Sequence, residues 1–145
     1  LIEVTLTPDE IHLGSCHGVL RRFQKHCGKR SDRVQKEESC WDNEINGALA
    51  ELAFCKWRGI YWSGVSRIKA TDGGACEVRW TRHKDTGGLI VYDHDQDDCN
   101  FILADGFAPI YRMIGWIVGK DAKLHAGKTN FGNLLQRHRL HPLND

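Results

Sequence analysis

The stretch Asp72-Gly73-Gly74-Ala75-Cys76-Glu77-Val78-Arg79-Trp80-Thr81-Arg82 decides how the rest of the chain is read. From Cys76 the side chains alternate as a strand requires, with Cys76, Val78 and Trp80 on one face and Glu77, Arg79 and Thr81 on the other. A carboxylate and a cation therefore share a face, two residues apart. Upstream, Asp72 precedes two glycines able to turn the backbone tightly enough to bring a second carboxylate back toward Glu77. Two hard oxygen ligands of this kind suit a magnesium-sized cation and leave positions open for water and a phosphate oxygen. A neighbouring cation would orient the water or stabilise charge developing on phosphorus. The same residues also make an ordinary surface hairpin with a cross-strand ion pair, and alternation alone does not choose between the two.

Before this stretch lies the most regular segment, which predicts a helix from Ser31 or Ser39 to Arg58, ending before Gly59. Between Ile45 and Trp57 only Asn46, Glu51 and Lys56 are strongly polar, as in a helix packed on several sides. Glu51, set among Ala50, Leu52 and Phe54, needs a cation, a metal or hydrogen bonds to offset its desolvation. Glu44, seven residues earlier, lies on nearly the same face and is placed to replace or assist it. The plainer reading pairs Glu51 with a structural arginine.

Nearer the N-terminus, residues 1–7 read as a short strand, and Thr7-Pro8-Asp9-Glu10 as a capped helix start. Ile11, Val19, Leu20 and Phe23 form a weak apolar stripe interrupted by Gly14 and Gly18, which predicts a short or broken first helix and then a loop between Gly28 and Ser31. Arg21, Arg22, Lys25, Lys29, Arg30, Arg33 and Lys36 form a basic band opposed only by Asp32. Such a band tracks a phosphate backbone or is simply a solvated helix face.

After the helix, Ile60-Tyr61-Trp62 reads as a brief extended piece, and strands are expected at Cys76–Arg82, Leu89–Tyr92, Phe101–Ala104 and Ile110–Val118. Asp85-Thr86-Gly87-Gly88 reads as a hairpin loop joining the first two strands. The acidic run from Asp93 to Asp98 lacks the glycine and terminal glutamate of an EF-hand and reads as a solvated turn. Gly115-Trp116 permits a bulge or a close approach, and Lys120–Leu124 and Asn130–Arg139 suggest helical turns.

With 145 residues, 41% of them hydrophobic and including five Trp and five Phe, the chain can build a single domain with one proper core at about residues 31–119 and a C-terminal extension at 120–145. A formal charge of +1 argues against a globally basic protein. No apolar run reaches the length of a membrane span and no signal segment opens the chain, which predicts a soluble, cytoplasmic protein without a membrane partner. The six cysteines at 16, 27, 40, 55, 76 and 99 lack close pairing and suit free thiols in a reducing compartment. A zinc site from Cys16, His17, His26 and Cys27 is the weaker reading, because the short Cys-x-x-Cys spacing is missing.

The order of an inward acid on a helix, an Asp at a turn and an acid-x-cation strand resembles the PD-(D/E)XK nuclease superfamily. The matching residues are Glu51 within Asn46-Gly47-Ala48-Leu49-Ala50-Glu51-Leu52-Ala53-Phe54, then Asp72, then Glu77-Val78-Arg79. The region from Asn46 to Gly119, with its Asp-Gly-Gly, Glu-Val-Arg and Gly-Trp-Ile-Val-Gly segments, is also similar to small phage-type proteins of that group. The resemblance implies an α/β (α+β) single domain with a restriction-endonuclease-like core, a central mixed sheet of four to five strands flanked by helices. It further implies a Mg²⁺- or Mn²⁺-dependent endonuclease acting on DNA in the cytoplasm of a phage-infected host. Asp72 and Glu77 would hold the metal, Glu51 would assist and Arg79 would steady the phosphate. Arg21, Arg22, Lys25, Lys29, Arg30, Arg33, Arg82 and Lys84 would carry flanking phosphates. A homodimer would match the two-fold symmetry of duplex DNA.

Two departures stand out. Arg79 replaces the usual Lys and cannot act as a base, and the gap from Asp72 to Glu77 is short. They keep open a nuclease-fold protein that binds nucleic acid or regulates without turnover. A protein-interaction module using its Trp residues is a third possibility.

Overall fold

A computed structural model describes residues 1–28, 37–64, 67–70, 74–130 and 132–144. In chain order these form β1 (Ile2–Thr5), α1 (Pro8–Gly28), α2 (Glu37–Arg58), β2 (Arg67–Ala70), β3 (Gly74–Thr81) and β4 (Leu89–Val91). There follow β5 (Asn100–Phe107), β6 (Ile110–Val118), α3 (Gly119–His125), β7 (Gly127–Thr129), β8 (Gly132–Leu135) and a 3₁₀ turn at Arg137–Arg139.

The start of α1 is set by a reciprocal capping box. The Glu10 N–H donates to Thr7 Oγ1 at 3.3 Å, and the Thr7 N–H donates to Glu10 Oε2 at 2.7 Å. From there α1 runs 21 residues without a break, which corrects the expectation of a short or interrupted helix. Gly14 and Gly18 admit α2 rather than stopping α1. A Cβ at Gly18 would stand 2.6 Å from Ile45 Cα and 2.9 Å from the Glu44 carbonyl, and one at Gly14 would stand 2.5 Å from Leu49 Cδ2. Close packing thus outweighs the local cost of glycine in a helix. Gly28 closes α1, and residues 29–31 of the expected loop lie outside the described residues.

The central sheet is mixed and five-stranded, in the order β1-β6-β5-β3-β2. Only the β3–β5 pairing is parallel, with Glu77 opposite Phe101 and Arg79 opposite Leu103. Alternation divides the core into two halves. Cys76, Val78, Ile102, Ala104, Tyr111 and Met113 face Leu49, Ala53 and Phe54 of α2. Phe101, Leu103 and Ile117 face Leu89, Val91, Ala122 and Leu135 on the opposite side. The bulge allowed by the sequence near Gly115 is present: Leu103 pairs with Gly115 and Ala104 with Met113, leaving Ile114 as the extra residue. A Cβ on Gly115 would lie 2.7 Å from the His141 carbonyl, so the bulge region is also where the C-terminal segment crosses the sheet.

The strands after β3 depart from the expected hairpin. Residues 85–88 do not join a β3–β4 pair; β4 instead joins β8 and β7 in a second, three-stranded sheet in the order β4-β8-β7. The crossover this requires is what makes β5 parallel to β3. Residues 130–139, expected as a helical turn, hold β8, with Leu135 fully buried opposite Leu89, and only then a 3₁₀ turn. Pairing gives β4 a partner and buries an apolar side chain, which outweighs a weak helical pattern. Ile60-Tyr61-Trp62 forms no strand, whereas Gly119–His125 is helical as expected. Among the described residues no helix is long and apolar enough to cross a membrane. Cys16, Cys55, Cys76 and Cys99 are free thiols, and burial pushes the Cys55 thiol up to about 12.

The glycine geometry makes a paired prediction. Gly18→Ala should destabilise the fold by about 1–3 kcal/mol, because the methyl meets backbone that cannot rotate away. Gly47→Ala, whose Cβ meets nothing within 4 Å, should stabilise it by roughly 0.5–1 kcal/mol. Urea unfolding of both variants checks the signs.

Candidate functional site

Glu51 projects from α2 into the core, and its side chain is only 5% exposed. Arg21 of α1 meets it in a two-pronged pair, Nη1 to Oε1 at 2.9 Å and Nη2 to Oε2 at 2.5 Å. The same guanidinium donates to the Gly64 carbonyl from Nε at 3.1 Å and from Nη2 at 2.6 Å. Trp62 adds a long Nε1–H donation to Glu51 Oε2 at 3.5 Å, and the His17 ring packs edge-on against the Trp62 ring at 4.9 Å. Gly64 is obligatory here: its φ is +81°, and a Cβ would fall 2.3 Å from His17 Nδ1. Burial pushes the Glu51 carboxyl up, and its hydrogen bonds to Arg21 and Trp62 pull it back only in part. The arginine anticipated as a structural partner for Glu51 is thus Arg21, drawn from the band expected to hold phosphates.

Glu77 lies on β3 in register with Phe101, so it takes the sheet face away from α2, which corrects the expected convergence of Glu51 and Glu77; its charge adds only slightly to the rise at Glu51. Its Oε1 is 2.6 Å from Arg79 Nη2, and that nitrogen also reaches Asp95 Oδ1 at 2.9 Å. The Arg79 guanidinium sits 5.4 Å from the Tyr92 ring centre and 5.2 Å from that of Phe101. Glu77 and Arg79 share a face, as the alternation required.

The sequence reading missed Asp95. It lies in the acidic turn read as solvated, yet its side chain is only 7% exposed. Its Oδ2 accepts the Tyr92 N–H at 2.8 Å, while Oδ1 holds Arg79. Lys123 of α3 closes the turn, donating to the carbonyls of Asp93 and Asp95 and to Asp97 Oδ1 at 2.8 Å. The internal cation corrects the reading of a plain solvated connection. A second missed acid, Asp105, is fully buried on β5, held by Arg112 Nε at 2.6 Å and Arg137 Nη2 at 2.7 Å. Burial alone would raise its carboxyl, but the two guanidiniums reverse this and lower it.

The remaining expected site residues fall in different places. Asp72, Lys29, Arg30 and Arg33 lie outside the described residues, as does the Lys25 side chain. Arg82 is exposed and pairs with Asp42 at 3.1 Å, Lys84 is exposed, and Glu44 and Arg22 are half-buried. Among the described residues, no three or more His, Cys, Asp or Glu side chains gather as a metal ion would require. No protein family, curated protein or solved structure matches the chain.

The Arg21–Glu51 pair carries its own test. Arg21→Ala leaves a buried carboxylate without its cation and should cost about 3–5 kcal/mol in urea unfolding. Glu51 holds its proton more tightly folded than unfolded. Its contribution is therefore complete below the ordinary value of 4.5 and declines as pH rises through the raised folded value. Stability measured across this window should flatten in Glu51→Gln and fall more steeply in Arg21→Ala.

Proposed function

We propose that this protein is a Mg²⁺- or Mn²⁺-dependent nuclease that hydrolyses phosphodiester bonds in DNA, with Glu77 and Asp72 as its metal-holding acids. The observation that carries the reading is the placement of Glu77 and Arg79 side by side on β3, at 2.6 Å. Glu77 suits a metal ligand: its side chain is 23% exposed, on the strand that begins at Gly74. Glu51 is less suited to direct ligation, since Arg21 engages both of its oxygens. Its part in this reading is positional, fixing α2 against α1. A divalent ion bound there would lower the pKa of a bound water and polarise a phosphate oxygen.

The chain's own residues then divide the work. Arg79, clasped by Asp95 and flanked by two rings, would stabilise negative charge at phosphorus. It cannot take a proton from water, so that role falls to a carboxylate or to solvent. The exposed Arg82 and Lys84, with the rest of the basic band at 22–33, would hold the phosphates on either side and position the strand without reading its bases, while Arg21 is committed to Glu51.

A second reading, a nuclease-fold protein that binds nucleic acid without cutting it, is favoured by one observation. Glu51 and Glu77 are each already engaged by a guanidinium, which lowers the pull of the site on a further cation.

One experiment separates the two. Plasmid, single-stranded and branched DNA are incubated with the protein and Mg²⁺, Mn²⁺ or EDTA, and both cleavage and gel shift are scored. The nuclease reading expects cuts that vanish with EDTA and fall by roughly two orders of magnitude or more in Glu77→Ala, with the fold intact. Shifts without cuts under every metal condition would leave the binding protein; metal-dependent cutting that survives in both Glu77→Ala and Asp72→Ala would end the assignment of these acids.

A further inference from the structure

Tyr92, Asp93 and His94, just after β4, line a cleft of about 340 Å³ together with Lys128 of β7 and Gly132 and Asn133 of β8. That volume falls at the lower end of the roughly 300–1,000 Å³ usual for small-ligand sites. Lys128 stands opposite Asn133 in the antiparallel register, so the two side chains leave the same face of the small sheet. The cleft adjoins the candidate site, because the Arg79 guanidinium that holds Glu77 lies 5.4 Å from the centre of the Tyr92 ring.

The cleft contains a flat platform. The exposed His94 ring lies nearly parallel to the Tyr92 ring, with 10° between their planes and 5.3 Å between their centres. Exposed rings held in this way are where unpaired bases stack. Gly132 preserves the arrangement: its φ is +138°, and a Cβ there would stand 3.0 Å from Tyr92 Cε1 and crowd the ring.

The polar groups around the platform are specific in kind. Asn133 Nδ2 donates to Asp93 Oδ1 at 2.9 Å, which fixes the amide and leaves Asp93 Oδ2 and Asn133 Oδ1 as acceptors. Lys128 is exposed and, among the described residues, is paired with no acid. A ligand that fits must therefore be flat, give hydrogen bonds to a carboxylate and accept one from an ammonium. Guanine does all three, since its N1–H and 2-amino group are adjacent donors while O6 and N7 are acceptors suited to lysine. Thymine flanks its single N–H with two carbonyls. Adenine and cytosine each set one amino group beside a ring nitrogen whose lone pair repels a carboxylate.

We propose that this cleft takes the guanine base of an unpaired nucleotide, stacked on His94, with its N1 and 2-amino edge on Asp93 and its O6 and N7 toward Lys128. The inference rests on the nucleic-acid reading above, in which Arg79 steadies a phosphate of the same strand. In a duplex the guanine edge that Asp93 needs is already paired with cytosine, so the substrate class named is single-stranded or locally unpaired DNA.

The test titrates the full, ¹⁵N-labelled chain with the deoxynucleoside monophosphates of guanine, adenine, cytosine and thymine, and follows the backbone and side-chain amide signals. EDTA is present throughout, so the result depends neither on a metal nor on cleavage. The guanine nucleotide is expected to bind with a Kd on the order of 1 mM, shifting the signals of Gly132 and Asn133, and the other three about fivefold or more weaker. His94→Ala should weaken binding by about fivefold or more, whereas His94→Phe, which keeps a ring, should retain it. Asp93→Asn keeps an acceptor for Asn133 but turns the other oxygen into a donor, and should erase the preference for guanine. Both positions are exposed, and thermal melts establish that the variants are folded. A thymine oligonucleotide with one central guanine should bind more tightly than thymine alone, and should lose that advantage when annealed to its complement. Equal binding of the four nucleotides, or binding indifferent to His94→Ala, overturns the cleft assignment even in a chain that cuts DNA. Guanine binding as expected in a chain that cuts nothing upholds the cleft and removes the nuclease reading. Oligonucleotides that bind alike with and without guanine overturn the strand as the source of the base.

Discussion

The buried pair between Arg21 and Glu51 is the constraint on which the arrangement of this molecule depends. A carboxylate 5% exposed inside an apolar helix pair is tolerable only with its charge answered, and Arg21 answers it with two parallel donations. Because the same guanidinium also holds the Gly64 carbonyl, three stretches of chain converge on one ion: α1, α2 and the segment that follows α2. The glycine contacts at 14 and 18 bring α1 near enough for the arginine to reach, and Gly64 leaves room for His17 beside Trp62. Helix packing and ion pairing therefore specify each other.

A similar logic recurs across the sheet. Asp95 and Glu77 share Arg79, and Asp105 takes both Arg112 and Arg137. Arg137 extends from Asp105 to the carbonyls of His83 and Gly87, while Arg112 reaches Asp85 at 3.0 Å. These donations hold the segment after β3 against β5, β6 and the C-terminal 3₁₀ turn, so it does not fold back as a hairpin. Arginine is suited to this work because its planar fork satisfies several acceptors at once and never loses its charge. For the proposed site the result is a Glu77 whose partner Arg79 is itself held by Asp95 and two aromatic rings, leaving little freedom in the direction the carboxylate takes.

Much of this architecture was legible in the residues. The capping box at Thr7 and Glu10, the inward position of Glu51, the shared face of Glu77 and Arg79, and the bulge near Gly115 are local patterns whose outcome depends on neighbours in sequence. What stayed hidden depends on neighbours in space. Gly14 and Gly18 look like helix breakers until α2 is known to lie on them. Asp95 looks solvated until Arg79 and Lys123 arrive from β3 and α3. Nothing local marked Leu135 as the partner of Leu89, since strand pairing across more than forty residues leaves no periodic trace. Arg21 was visible as a cation, but its commitment to Glu51 required the helix crossing. Asp72 lies outside the described residues, so its place beside Glu77 rests on the sequence alone.

The central claim, that β3 presents a carboxylate able to hold a divalent ion beside a fixed guanidinium, is tested most directly by titrating Mn²⁺ into the intact chain and following free ion by its paramagnetic resonance. The account predicts one saturable site that disappears in Glu77→Ala and persists in Glu51→Gln. Absence of any saturable site in the wild type, or a site indifferent to Glu77, would contradict it.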